Sequence, residues 1–319
     1  MKTFKGVGIA LILIIITIGC SPSNRATTEE SSDFTIYTTI YPIEYAIERI
    51  AKDTVSVETV YPPGVDAHSY EPTSKDMITI AKGDAFIYLG AGLEAIAETA
   101  ADSLSSQSVK LIEIGQHDEL FMADVEEHSD DSHENEEESD EGHNHGTQDP
   151  HIWLDPLRMI ELSKIIKDEL ITLNPDEEAT YNENFEALEA ELITLDERFT
   201  EVLEAKENKH ILVAHAAFGY WEERYGIEQI PISGLSSSNE PSQKELTKII
   251  DQAEEFNLNH ILYEQNSTNR VSEIIQEKIG AEALTIHNLS VLTEEDIENN
   301  EDYISLMNYN LDILDIATK

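Results

Sequence analysis

The sequence predicts an α/β protein of two lobes, each a mostly parallel sheet flanked by helices, joined by one long rigid helix. Three observations predict it. Short β-rich runs alternate with helical stretches before residue 118 and again after residue 208, the pattern of parallel strands with both faces covered. Between the two series lies one long amphipathic stretch. Its apolar residues Tyr181, Phe185, Leu188, Leu192, Leu195, Phe199 and Val202 fall four and three apart in turn, a single stripe along a helix. The chain has 319 residues, enough for two packed lobes.

The first lobe, 34–175, reads in order. Phe34 to Ile40 is β-rich and stops before Pro42; Ile43 to Lys52 has helical spacing; Val55 to Tyr61 alternates and ends at Pro62-Pro63-Gly64. Ser74 is placed to cap a helix that carries Met77, Ile78, Ile80 and Ala81. A strand over Ala85 to Leu89, a helix over Leu93 to Leu104 and a strand over Val109 to Ile114 complete the series. Residues 118–149 break it: rich in Asp and Glu, without Lys or Arg, and carrying His128, His133, His143 and His145. Such a segment cannot bury enough apolar surface to offset its ordering entropy, so it is expected to be a disordered loop. A helix over Leu157 to Leu173 follows. The linking helix, 176–207, opens near Pro175 with Asp176, Glu177 and Glu178 suited to the positive end of its dipole. The second lobe, 208–319, alternates strands at 210–215, 227–232, 260–265 and 283–287 with helices at 216–225, 242–256, 268–279 and 302–316.

The first residues are an address rather than part of the fold. Lys2 and Lys5 precede an apolar run from Val7 to Ile18, too short to span a bilayer comfortably, so 1–19 reads as a secretory leader. Thr17-Ile18-Gly19-Cys20 resembles a bacterial lipobox, with Thr17 where Leu is usual. That resemblance implies a lipidated Cys20 and places the protein on the extracytoplasmic face of the cell membrane. Cys20 is the single cysteine, so no internal disulfide can form. Residues 20–33 are polar and aperiodic, a tether.

With 20 Lys and Arg against 65 Asp and Glu, the net charge is −45. A phosphate backbone needs clustered basic groups, so nucleic acid is excluded as a partner. The charge also repels anionic lipid and leaves the N-terminal lipid as the membrane contact.

Three histidines stand apart from the acidic loop. His68 follows a strand end in Gly64-Val65-Asp66-Ala67-His68-Ser69-Tyr70-Glu71-Pro72. His151 lies in Asp149-Pro150-His151-Ile152-Trp153-Leu154-Asp155-Pro156, and His215 closes a strand before Ala216-Ala217-Phe218-Gly219-Tyr220. All three sit where strands or loops hand over to helices, the edge at which open α/β sheets bind ligands. Imidazole suits zinc, copper, nickel and iron, and three His with one further ligand is a common zinc arrangement. Asp66, Glu71 and Asp155 are near enough in sequence to orient the rings. Taken singly, each His reads equally well as a satisfied buried or capping side chain.

Those segments, with Tyr41-Pro42 and Tyr303-Ile304-Ser305-Leu306-Met307, resemble the solute-binding lipoproteins of metal ABC importers, in particular their zinc-binding branch. The resemblance covers essentially the whole chain after the tether. It implies metal held between two lobes by His68, His151 and His215, Zn2+ as the transported ligand, a monomer, and an ABC permease as partner. His215 stands where manganese-binding relatives tend to carry a carboxylate, which favours zinc over a manganese or other divalent-metal receptor. Many relatives supply a carboxylate from the loop after the last strand, where this chain has Ser290. The fourth ligand is therefore water, His287 or a loop histidine, with water favoured. The acidic loop matches an insertion common in the zinc branch and is expected to collect zinc weakly near the cleft. A zinc hydrolase and a surface adhesin are the rival readings. No H-E-x-x-H or nucleophile-elbow signature is present, and no feature of the sequence encodes a host ligand.

Overall fold

The computed structural model describes residues 34–121, 148–235, 241–266 and 270–318. The leader, Cys20, the tether and the loop histidines His128, His133, His143 and His145 lie outside the described residues.

The first sheet is built from β1 (Thr35–Thr38), β2 (Ser56–Thr59), β3 (Ala85–Tyr88) and β4 (Lys110–Glu113), all parallel, in the order β2-β1-β3-β4. Helices α1 (Tyr41–Ala51), α2 (Ser74–Ile80) and α3 (Ala95–Leu104) make the crossovers that parallel neighbours require. Pro42 sits in the first turn of α1, where a missing N–H costs nothing, and Ile43, Ala46, Ile47 and Ile50 are fully buried. The cap of α2 is Thr73 rather than Ser74. Asp76 lies three residues on from Thr73 and returns the bond, so the capping box selects the earlier residue.

Asp118–Leu120 forms a short 3-10 turn with Leu120 and Phe121 buried. Residues 118–121 are therefore ordered where disorder was expected from residue 118 on, because two apolar side chains anchor them to the core. After the turn Ile152–Leu154, α4 (Pro156–Leu173) leads to α5 (Glu178–Glu204). The apolar stripe of α5 is buried as its spacing predicts, ending on Leu203 in place of Val202. This helix packs against α1, α4 and α10.

The second sheet repeats the first: β5 (His210–His215), β6 (Glu228–Ser233), β7 (His260–Glu264) and β8 (Glu282–Ile286), parallel, in the order β6-β5-β7-β8. Around it are α6 (Gly219–Tyr225), α7 (Gln243–Glu255), α8 (Arg270–Ile279), α9 (Glu294–Asn299) and α10 (Tyr303–Ala317). The sequence reading missed α9, a six-residue helix without a buried residue, held by a capping box between Thr293 and Asp296. No helix among the described residues is long and apolar enough to cross a membrane.

One apolar cluster runs from β1 and α1 through Ile152, Trp153 and Leu154 and along α5 to Trp221, Tyr303 and Leu314. The lobes thus share a core, and polar bonds reinforce it. The carbonyls of Asp149, Trp153 and Leu154 accept from Tyr220 Oη (2.6 Å), Tyr303 Oη (2.6 Å) and Trp221 Nε1 (2.7 Å). In return, alternate carbonyls of one second-lobe segment, those of Asn288, Ser290 and Leu292, accept from Trp153 Nε1 (2.7 Å) and from the backbone N–H groups of Tyr41 and Gly64 (both 2.9 Å). Gly64 has φ +76°, a conformation that glycine adopts without strain.

Replacing Leu192, fully buried at the middle of α5, by Ala is expected to cost about 2–5 kcal/mol of stability. Its neighbour Ile193, 42% exposed, is expected to tolerate the same change within about 0.5 kcal/mol. Chemical denaturation of the two variants measures the contrast.

Candidate metal centre

The ends of β5 and β7 carry the site's second-lobe half. Strand order reverses between these two strands, which opens a crevice beyond their carboxyl ends. His215 is the last residue of β5 and Glu264 the last of β7. The register that pairs Val213 with Leu262 sets His215 beside Glu264. His151 enters from the segment wedged between the lobes, and His68 from the loop that follows β2.

The three imidazoles that the sequence singled out come together. Their ring centroids are 5.1–5.5 Å apart, and one nitrogen from each lies within 4.8 Å of the others. His151 and His215 are buried, at 1% and 3% exposure, and His68 is half-buried. Trp153 packs edge-on against His151.

Two carboxylates fix which nitrogen each buried ring offers. Asp149 Oδ1 accepts from both the backbone N–H (3.0 Å) and Nδ1 (2.7 Å) of His151. Glu264 Oε1 binds Nδ1 of His215, while Glu264 Oε2 accepts from Asn288 Nδ2. With Nδ1 acting as donor in each case, the lone pair is left on Nε2. Nε2 of His215 is buried and has no hydrogen-bond partner. A buried polar atom left so costs about 1–3 kcal/mol unless a ligand satisfies it, and a lone pair can be satisfied by a metal ion as well as by a proton donor.

Electrostatics divides the three rings. Burial, together with the neighbouring His151 and His215, lowers the His68 pKa to about 4. Burial acts the same way on His215, but the Glu264 carboxylate outweighs it and raises His215 above its ordinary value. Burial opposes the charge on Glu264, and the His215 ring with the Asn288 amide overcomes that and holds Glu264 below its ordinary value.

The other candidates stand elsewhere. His287 is not a fourth ligand in this arrangement: its Nε2 donates to Asp296 Oδ2 (3.0 Å) and its Nδ1 accepts from the Leu289 N–H (3.0 Å), so no lone pair is left to offer. Ser290 Oγ donates to Asn288 Oδ1 (2.9 Å). Of the carboxylates suggested by sequence proximity, Asp66 accepts from the backbone N–H of His68 (2.9 Å). Asp155 caps α4 and faces Arg158 and Arg224, and Glu71 is exposed. Asp149 and Glu264 orient the rings of His151 and His215, and sequence reasoning missed both. Asp149 was accessible as an acid two residues before a His. Glu264 becomes visible only once β7 is known to pair with β5.

A protein-family model described as zinc-uptake complex component A, periplasmic, matches residues 36–317. The zinc-binding lipoprotein AdcA of Streptococcus pneumoniae is 32% identical over 310 residues, 97% of this chain, and this chain spans only 60% of that relative's length. The high-affinity zinc uptake system protein ZnuA of Bacillus subtilis is 29% identical over 305 residues, covering 96% of this chain and 94% of that protein. The crystal structure of the Zn(II)-bound ZnuA-like domain of Streptococcus pneumoniae AdcA matches with a TM-score of 0.71 and 30% identity, over 89% of this chain and 98% of that one. Three converging histidines between two parallel sheets are thus set in a chain matched almost end to end: it belongs to the family of periplasmic zinc-uptake complex component A proteins.

Proposed function

We propose that the protein is an extracytoplasmic receptor that binds Zn2+ through His68, His151 and His215 and hands it to an ABC permease. The observation that carries the proposal is the buried, unpartnered Nε2 of His215, set within reach of two other imidazoles. Nitrogen donors of this kind suit zinc, and three of them with one open position make a stable tetrahedral site. Water fills the fourth position in this reading. The names of the relatives in Streptococcus pneumoniae and Bacillus subtilis point the same way. The receptor acts as a monomer of two lobes (34–175 and 208–319) bridged by the helix of 176–207, anchored through a lipid on Cys20. The acidic segment carrying His128, His133, His143 and His145 gathers zinc near the cleft.

Protons compete with the metal unevenly. A pKa near 4 leaves His68 neutral at neutral pH. His215 holds its proton to a higher pH than the ordinary 6.5. A raised pKa means that proton loss, and with it full zinc affinity, comes as pH rises through that value; acidification weakens binding first at His215. Glu264 therefore has two effects: it makes the ring a better donor to zinc and a better base for the proton.

Protein purified from cells grown in mixed metals is expected to carry one zinc per chain, lost in His215→Ala and kept when residues 124–145 are deleted. Elemental analysis of the three proteins measures this. Manganese in place of zinc, or zinc lost only with the deletion, contradicts it. In Glu264→Gln, burial lowers His215 with only Asp66 and Asp149 left to oppose it, so the pH midpoint of zinc binding is expected to move down. Affinity at alkaline pH is expected to fall about 10–100-fold. Competition with a zinc chelator across pH measures both, and an unchanged profile rules out the assigned role of Glu264.

A further inference from the structure

Three second-lobe side chains hold carbonyls of the segment that carries His151, and one of them differs from the other two. Tyr303 Oη and Trp221 Nε1 hold Trp153 and Leu154, past the histidine. Tyr220 Oη holds the carbonyl of Asp149 (2.6 Å). Asp149 is also the residue whose Oδ1 accepts from the backbone N–H and the Nδ1 of His151. The phenol hydroxyl therefore fixes the main chain of the same residue whose side chain aims the His151 ring.

The phenol is held firmly itself. Tyr220 is fully buried in the first turn of α6. The guanidinium of Arg158, on α4, lies over its ring at 4.7 Å from the centroid, an attractive arrangement. Arg158 is tied in turn to the Leu120 carbonyl (2.8 Å) and the Glu223 carboxylate (2.7 Å). Residues 149 and 158 thus grip one phenol from the two ends of the stretch that contains His151. The link from Tyr220 back to His215 has little slack. The N–H groups of Ala216, Ala217 and Phe218 donate to the Gly234 carbonyl (3.2 Å), the His215 carbonyl (2.9 Å) and Gln229 Oε1 (3.2 Å), and α6 begins at Gly219.

We infer that Tyr220 is a positioning residue of the metal centre: through Asp149 it sets where the His151 ring stands relative to His215, two rings whose centroids are 5.1 Å apart. The inference rests on the reading of the three histidines as zinc ligands. His151 comes from the first half of the chain and His215 from the second, so contacts between the lobes must fix their spacing. Tyr220 follows the strand of one ligand and ends on the support of the other. Zinc takes imidazole nitrogen at about 2.0–2.1 Å in tetrahedral array, and donors already spaced for it lose less freedom on binding. Groups that orient a ligand from behind carry about 10–100-fold of metal affinity. Tyr220 acts at one remove from such a group, which places its share at the low end, about tenfold.

The test compares two variants of the intact protein. Tyr220→Phe removes the hydroxyl and keeps the ring under Arg158. Tyr303→Phe is the matched control, since it removes a bond of the same kind and length (2.6 Å) from the same segment, at Trp153. Chelator competition measures zinc affinity, visible spectra of the Co2+-loaded proteins report the geometry of the site, and thermal unfolding reports the stability of the metal-free forms. Tyr220→Phe is expected to bind zinc about tenfold more weakly, with shifted or broadened Co2+ bands. Tyr303→Phe is expected to stay within about twofold of the unaltered protein and to keep its bands, although both variants lose stability. The route through Asp149 is read by a double-mutant cycle: in an Asp149→Ala background, Tyr220→Phe is expected to cost less than about threefold in affinity. The inference is overturned if Tyr220→Phe keeps full affinity and unchanged bands, if Tyr303→Phe loses as much, or if the loss is undiminished in Asp149→Ala. If the unaltered protein takes up no zinc, the metal reading falls and this inference with it.

Discussion

The structure depends on a set of hydrogen bonds to backbone carbonyls that lock one lobe onto the other. Residues 149–154 belong to the first half of the chain, yet three of their carbonyls are held by side chains of α6 and α10. The segment 288–292 belongs to the second half, yet its alternate carbonyls are held by first-lobe donors. Trp153 takes part in both sets, accepting from Tyr303 through its carbonyl and donating to Asn288 through its indole. The bonds to the carbonyls of Trp153 and Leu154 are buried and the others partly so, and a buried carbonyl left unsatisfied costs more than a bond between satisfied groups yields. Large hinge motion would break several such bonds together, against a core that already runs through both lobes.

The histidines inherit this constraint unequally. His151 sits inside the locked segment, and His215 is fixed through Glu264 to Asn288, whose carbonyl is one of the locked set. Two of the three donors are therefore pre-organised on one rigid body. His68 is different. Its loop between β2 and α2 is largely exposed, with Ala67 as its buried anchor and Asp66 bonded to the His68 backbone. In this geometry the smallest change that opens the cluster is a shift of the His68 loop, not a separation of lobes. The same division appears in the charges: the ring of the exposed loop resists protonation, and the ring of the rigid half is held ready by a carboxylate.

Much of this was legible in the sequence, and the reasons differ from element to element. The stripe along α5 and the run His210–His215 were readable because burial on one face or both leaves a periodic trace. The three histidines were readable as candidates because each ends or follows an element, but their convergence was not, since spacing along the chain carries no information on distance across a cleft. Glu264 was hidden for a related reason: its partnership with His215 exists only through strand pairing. The helix α9 buries nothing and left no periodic signal, only its capping box. His287 was a plausible ligand by composition and proximity, and it is used instead to pin the turn at Leu289, a residue at φ +59°.

The most direct test of the central claim is X-ray absorption spectroscopy of the zinc-loaded protein at neutral pH. The account predicts a four-coordinate shell with three imidazole nitrogens at about 2.0–2.1 Å and one oxygen from water, changed to fewer imidazoles in His68→Ala. A six-coordinate oxygen-rich shell, or a three-imidazole shell that survives loss of His68, would place the metal outside this cleft and contradict it.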